Sequence, residues 1–146
     1  MTNAQKHLEK AIQIRPEFAD AHFELALILK VKGENVKSRK HLLKAIKIQP
    51  EFAKAHYHLA LLLKDMEDQK DSRLYFTRAI DLDQEFADAH YHYGLLLADM
   101  EEYEEAKNNF DKATDIDQNY SMAYFQLAKL LIDPEDYELA KKNYLT

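Results

Sequence analysis

Apolar residues recur along the chain with the period of an α-helix, about 3.6 residues per turn, and polar residues fill the positions between them. Between residues 53 and 66, one side of such a helix collects Ala55, His56, Leu59, Ala60, Leu62 and Leu63. The opposite side carries a second stripe that is also partly apolar. Extended along the chain, this pattern predicts nine helices, at about residues 3–15, 19–32, 35–48, 53–66, 69–82, 87–100, 103–116, 121–132 and 135–145.

A short motif recurs four times at a constant distance of 34 residues. Its copies are RPEFADAHFELA from Arg15, QPEFAKAHYHLA from Gln49, DQEFADAHYHYG from Asp83 and DQNYSMAYFQLA from Asp117. A fixed period of this length is typical of a solenoid built from helix pairs. Positions in the repeat are numbered from Ala19, so that position 1 is also Ala53, Ala87 and Ser121.

Residue size is regular at several positions of the repeat. Position 8 is always small, as are positions 20 and 27, whereas position 24 is bulky in every copy: Leu8, Leu42, Phe76, Phe110 and Tyr144. Small residues at fixed places let two antiparallel helices approach closely, and bulky residues fill the space between them. The pattern therefore predicts paired antiparallel helices.

These features resemble the tetratricopeptide repeat family over essentially the whole chain. Pro16 and Pro50 at position 32 also fit, whereas His22, His56 and His90 stand where the family often has tryptophan. The resemblance implies an all-α, right-handed superhelical solenoid of about nine helices in a single domain, residues 1–146. It would consist of the second half of a repeat (2–18), three repeats (19–52, 53–86, 87–120) and an incomplete fourth repeat (121–146).

Composition and charge narrow the class of protein. The chain has no cysteine, no apolar run long enough to span a membrane and no apolar signal region, so we expect a cytoplasmic protein without membrane contact. Residues 1–64 carry a net charge of +6 and residues 65–146 a net charge of −12. Both ends lack a polar capping helix, which predicts either a piece of a longer protein or stacking on another molecule.

The paired histidines do not predict a metal site. His56 and His58 lie two residues apart, which on a helix places them on different faces, so they cannot chelate one ion. We interpret His22, His56 and His90 as large structural residues on the core side. A metal bridged by His58, Asp88 and His92 is the weaker alternative to a polar edge on a binding groove. We therefore expect no metal and no cofactor.

No catalytic constellation is visible either. The chain has only two glycines, so it has no phosphate-binding loop, and no serine stands in a nucleophile motif. We expect a protein that is not an enzyme and that takes no small-molecule substrate. Basic residues on one helix, Lys37, Arg39, Lys40, Lys44 and Lys47, are interpreted as a solvated face rather than a nucleic-acid site.

The second stripe of the first helix in each repeat is unexpectedly apolar. Position 5 is aromatic in all four copies and position 9 is leucine in three, and an apolar strip with a charged rim is typical of a partner site. In tetratricopeptide repeats this stripe lines the concave groove. The predicted groove comprises Phe23, Leu27, Lys30, Tyr57, His58, Leu61, Lys64, Asp88, Tyr91, His92, Leu95, Asp99, Phe125 and Lys129.

Two interpretations of these residues remain open. Either the groove binds a partner, with Tyr57 and Tyr91 as anchors, or positions 5 and 9 mainly pack against neighbouring helices. The predicted function is a non-enzymatic scaffold that binds a protein or peptide segment of apolar, partly basic character. The alternatives are a homo-oligomer stacked head to tail through its oppositely charged ends, and a regulatory domain of a larger protein.

Overall fold

A computed structural model describes residues 1–132 and Lys142, and all regular structure in these residues is α-helical. The predicted all-α fold class is confirmed. Apart from Lys142, the predicted ninth helix at 135–145 lies outside the described residues. The eight helices are α1 (Asn3–Ile14), α2 (Ala19–Val31), α3 (Asn35–Ile48), α4 (Ala53–Asp65), α5 (Gln69–Leu82), α6 (Ala87–Asp99), α7 (Tyr103–Ile116) and α8 (Ser121–Leu131).

The chain divides into two compact units, Met1–Gln84 and Glu85–Thr146. In the first unit α2 packs against α3 and α4 against α5, while α1 contacts α2 and α3 contacts α4. In the second unit α6 packs against α7, and α7 contacts α8. Each 34-residue repeat is therefore a helix pair that also contacts a neighbouring helix in its unit.

The turn inside each helix pair depends on one residue in the left-handed region. Position 15 has φ values of 79°, 63° and 62° at Gly33, Glu67 and Glu101. The following backbone N–H then donates to the carbonyl of position 11, at 2.9, 2.8 and 2.8 Å, which is the geometry of a Schellman helix end. The first helix of each pair therefore ends at the same place, although only one copy has glycine there.

The first helix of each repeat begins after an aromatic residue that provides no side-chain cap. Phe18, Phe52, Phe86 and Tyr120 occupy this place, and none accepts a hydrogen bond from the helix. Phe52 instead packs its ring 4.9 Å from that of Phe23 on α2. Apolar contact fixes the entry of the chain into α4, in place of the polar residue that usually stabilises a helix start.

Small residues lie where helices meet most closely. The side chains of Ser38 and Ser72 at position 20 are fully buried, and each hydroxyl donates to the carbonyl of position 8, Ala26 or Ala60, at 2.7 Å. At Gly94 a Cβ atom would lie 2.6 Å from Cε1 of Phe110. The close approach of the paired helices therefore requires a small side chain at position 8.

Candidate partner-binding surface

The aromatic residues at position 5 of the first unit lie inside the protein. Phe23 is 6% exposed and Tyr57 is 8% exposed. The Phe23 ring contacts Phe52, and the Tyr57 ring lies 6.3 Å from that of Phe76 on α5. These two rings therefore contribute mainly to packing between helices and leave little surface for a partner.

His58 joins the first helices of the first two repeats. Its ring meets Phe23 of α2 edge-on at 5.3 Å and Tyr57 of its own helix at 5.0 Å. Lys30 and Asp65 form an ion pair at 3.5 Å near the ends of α2 and α4. The half-buried residues of this face are Leu27, Lys30, His58, Leu61 and Lys64.

The second unit repeats the buried aromatic core. Tyr91 is 4% exposed, and its ring lies 5.9 Å from Phe110 and 5.0 Å from Tyr120. The Tyr120 hydroxyl donates to Oδ1 of Asp88 at 2.7 Å, which holds this exposed carboxylate next to the aromatic cluster. His92 is half-buried and contacts the Tyr91 ring at 5.0 Å.

The remaining predicted residues of the second unit are more accessible. Leu95 is half-buried and Asp99 is exposed. Phe125 on α8 is 61% exposed, and the Lys129 ammonium lies 5.5 Å from the centre of its ring. Phe125 is thus the one aromatic residue at position 5 of the described chain that presents its ring to solvent.

These positions change how the predicted surface is understood. Tyr57 and Tyr91 are too buried to be its main contact residues, and internal packing accounts for their rings. In the first unit the accessible part includes the partly exposed Leu27, His58 and Leu61. In the second unit it includes the partly exposed His92 and Leu95 together with the exposed Asp88, Asp99 and Phe125. The period of 34 residues identifies this stripe. It does not predict which side chains of the stripe are buried, such as the rings at position 5, and which are partly exposed.

The histidines at position 4 are buried core residues. Nε2 of His22 and of His56 lies 2.8 Å from the carbonyl oxygens of Pro16 and Pro50, so each ring donates a hydrogen bond there. Nδ1 of His56 is buried without a hydrogen-bond partner. Burial lowers the pKa of His56, and Arg78 lowers it further, while the bond to Pro50 acts in the opposite direction.

His41 is a residue that the sequence analysis did not single out. Its Nδ1 lies 3.0 Å from Nδ1 of His22, and the two rings stack with centres 5.2 Å apart. Position 23 of the repeat is His7, His41, Tyr75 and Asn109 in successive copies. The place of His41 among the basic residues of α3 was the available signal.

Metal-binding geometry is not found in the described part of the chain, where no three histidine, aspartate or glutamate side chains could hold an ion. None of the helices described is long and apolar enough to cross a membrane.

Paired antiparallel helices of constant length define the class of repeat scaffold proteins. The sequence model of the tetratricopeptide repeat matches residues 53–86 and 87–120, the second and third repeats. These two repeats are tetratricopeptide repeats, as the resemblance implied. No curated protein sequence matches the chain.

Solved structures share the fold at low sequence identity. MamA from Desulfovibrio magneticus RS-1 has a TM-score of 0.80 at 17% identity, covering 97% of this chain and 80% of MamA. The first tetratricopeptide domain of Spaghetti (RPAP3), bound to the HSP90 peptide SRMEEVD, has a TM-score of 0.74 at 16% identity, covering 77% and 89%. YrrB, described as having an unusual peptide-binding site, has a TM-score of 0.74 at 22% identity, covering 90% and 68%.

Proposed function

We propose that this chain is a non-enzymatic scaffold whose first helices bind a segment of a partner protein. The observation that carries the proposal is the repeated, partly exposed leucine at position 9, present as Leu27, Leu61 and Leu95. Leucine at the same position of three repeats is not expected on a helix face that contacts only water. The buried rings at position 5 lie one helical turn before these leucines, on the same face of each helix.

The charges around the stripe favour a partner with both apolar and basic residues. Asp88 and Asp99 of the second unit are exposed, and residues 65–146 carry a net charge of −12. In the second unit, apolar side chains of the partner would contact Leu95, and its lysines or arginines would contact these carboxylates. Two solved structures of similar fold, one bound to an HSP90 peptide and one described as having an unusual peptide-binding site, support a peptide as the ligand.

The test is a capture experiment followed by direct binding. Immobilised wild-type protein is compared with Leu61→Glu, which places a charge on the stripe, and with Leu74→Glu as the matched control. Leu74 lies on α5 and is 42% exposed. We expect a partner that wild type and Leu74→Glu retain and Leu61→Glu loses, and a peptide from that partner should bind in the same order.

Circular dichroism must first establish that both variants keep their helices. Equal capture by the folded Leu61→Glu and Leu74→Glu proteins would contradict a binding role for the stripe. Substituting Tyr57 or Tyr91 would not serve this purpose, because truncating a buried ring destabilises the fold itself.

A further inference from the structure

An open cavity of about 460 Å³ lies between α2 and α3, on side chains other than those of the leucine stripe. We call it the His22 cavity. Its lining consists of His22, Lys40, His41, Leu43, Lys44 and Lys47. Three of these six residues are lysines and two are histidines, so every polar group around the cavity is a cation or can become one.

Two of the three lysines have no ion-pair partner among the described residues. Lys40 and Lys47 are exposed, whereas the Lys44 ammonium lies 3.2 Å from Oε1 of Glu17. Glu9 on α1 is a second carboxylate whose charge acts on this region, because it favours the charged form of His41. The acidic groups nearby are thus fewer than the lysines.

The two histidines are arranged so that one extra proton can be held. Nε2 of His22 faces the Pro16 carbonyl at 2.8 Å, which can only accept, so Nε2 carries a hydrogen. In the neutral pair His22 Nδ1 is then an acceptor, and His41 Nδ1 donates to it across 3.0 Å. A proton added at Nε2 of His41 leaves this bond intact and makes it charge-assisted.

The surroundings of His41 currently oppose that proton. Burial lowers the pKa of His41, the neighbouring His22 and Lys40 lower it further, and Glu9 acts in the opposite direction. A negative charge held in the cavity would offset the positive charges beside His41. Binding of an anion and protonation of His41 must therefore favour each other.

The next repeat provides an internal control. An equivalent cavity of about 360 Å³ is lined by Ile46, Pro50, His56, Arg78, Asp81 and Leu82. Arg78 occupies the place of Lys44, but Asp81 replaces Lys47 and Tyr75 replaces His41. Three lining positions correspond between the two cavities, and the excess of positive charge is absent from the second, so the cationic lining is not a property of the fold.

We propose that the His22 cavity is a binding site for a multivalent oxyanion, a polyphosphate or a polycarboxylate, held by Lys40, Lys44 and Lys47, and that binding is coupled to uptake of one proton by the histidine pair. Ammonium groups and imidazolium bind such oxygens by charge-assisted hydrogen bonds. Most of the wall is apolar and is formed by the stems of the lysines and by Leu43.

The test is isothermal titration calorimetry with sodium tripolyphosphate and with citrate, at constant ionic strength and about pH 6. Lys47→Asp recreates the residue of the next repeat. Lys37→Asp is the matched control, because it makes the same change in net charge on the same helix but lies outside the cavity lining. We expect Lys47→Asp to weaken binding about tenfold or more and Lys37→Asp to change it much less.

The probe that binds more tightly identifies phosphate or carboxylate as the preferred group. Proton uptake is measured by repeating the titration in two buffers with different ionisation enthalpies. His41→Tyr, the residue of the next repeat, should abolish the difference between buffers while the protein still binds the anion weakly. The proposal is overturned if neither probe binds wild type, if Lys37→Asp and Lys47→Asp weaken binding equally, or if wild type takes up no proton.

Discussion

The first two helix pairs, α2–α3 and α4–α5, have the same architecture although their repeats differ at 20 of 34 positions, and three of these differences are informative. The shared positions build the fold: alanine at position 8, buried serine at position 20, and a histidine at position 4 that donates to a proline carbonyl. Three of the differing positions lie in distinct places: position 24 in the core, position 15 in the turn, and position 23 at the cavity of the first pair. Since the backbone is common to both pairs, each difference reports what one side chain contributes.

The largest difference in packing lies at position 24, where α3 has Leu42 and α5 has Phe76. Both side chains are fully buried. We expect Phe76→Ala to lower the free energy of unfolding by about 3–5 kcal/mol, because it removes a large apolar side chain and leaves a cavity. Phe76→Leu, which copies the first pair, should cost less than about 2 kcal/mol.

Urea unfolding followed by circular dichroism measures both values. Leu74→Ala, at an exposed position of the same helix, should change the free energy by no more than about 0.5 kcal/mol. A Phe76→Leu protein as unstable as Phe76→Ala would show that the two pairs need different shapes at this position and are not interchangeable.

The turns of the two pairs differ at position 15, where Gly33 and Glu67 share the left-handed conformation. Nothing lies within 4 Å of a Cβ atom added at Gly33, so a side chain there meets only conformational strain. We expect Gly33→Ala to destabilise the protein by about 1 kcal/mol and Glu67→Gly to stabilise it by a similar amount.

Thermal and urea unfolding of the two variants test this expectation. Glu67→Ala is the control, since it removes the carboxylate but keeps the Cβ atom, and it should bring no gain. If Glu67→Ala stabilises the protein as much as Glu67→Gly does, the gain comes from removing the carboxylate and not from relieving backbone strain.

The period of 34 residues was sufficient to predict the eight described helices, because each helix pair repeats the same spacing of small and bulky residues. Observed helix ends differ from the predicted ends by no more than one residue, as at Ile14 and Val31. The predicted stripe was less informative about exposure. Phe23 shares a helix face with Leu27, Tyr57 with Leu61 and Tyr91 with Leu95, and only the positions of the neighbouring helices decide which side chain is covered.

The His22 cavity shows a different limit of the sequence. The lysines of α3 were visible as a basic face, and His22 as a core residue, but the two groups belong to different helices. Their meeting depends on His41, whose Nδ1 reaches that of His22 only when α2 and α3 pack. A pattern that repeats identifies the scaffold, whereas a side-chain contact between two helices, such as that of His41 with His22, is a local property.

The smallest expected change in stability comes from the histidine of the second pair, His56, whose protonation depends on pH. Burial lowers the pKa of His56 below its usual value of 6.5, so the unfolded chain binds a proton more readily than the folded one. The stability associated with neutral His56 is therefore complete above that value and is lost as the pH falls through the lowered folded pKa.

We expect His56→Phe to lose less stability than wild type between about pH 7.5 and about pH 5.5. Urea midpoints at the two pH values measure this, and His7→Phe, at an exposed position of α1, should behave as wild type does. Equal losses in the three proteins would mean that folding does not lower the affinity of His56 for a proton, and the unpartnered Nδ1 of His56 would then have no part in the acid sensitivity of this repeat.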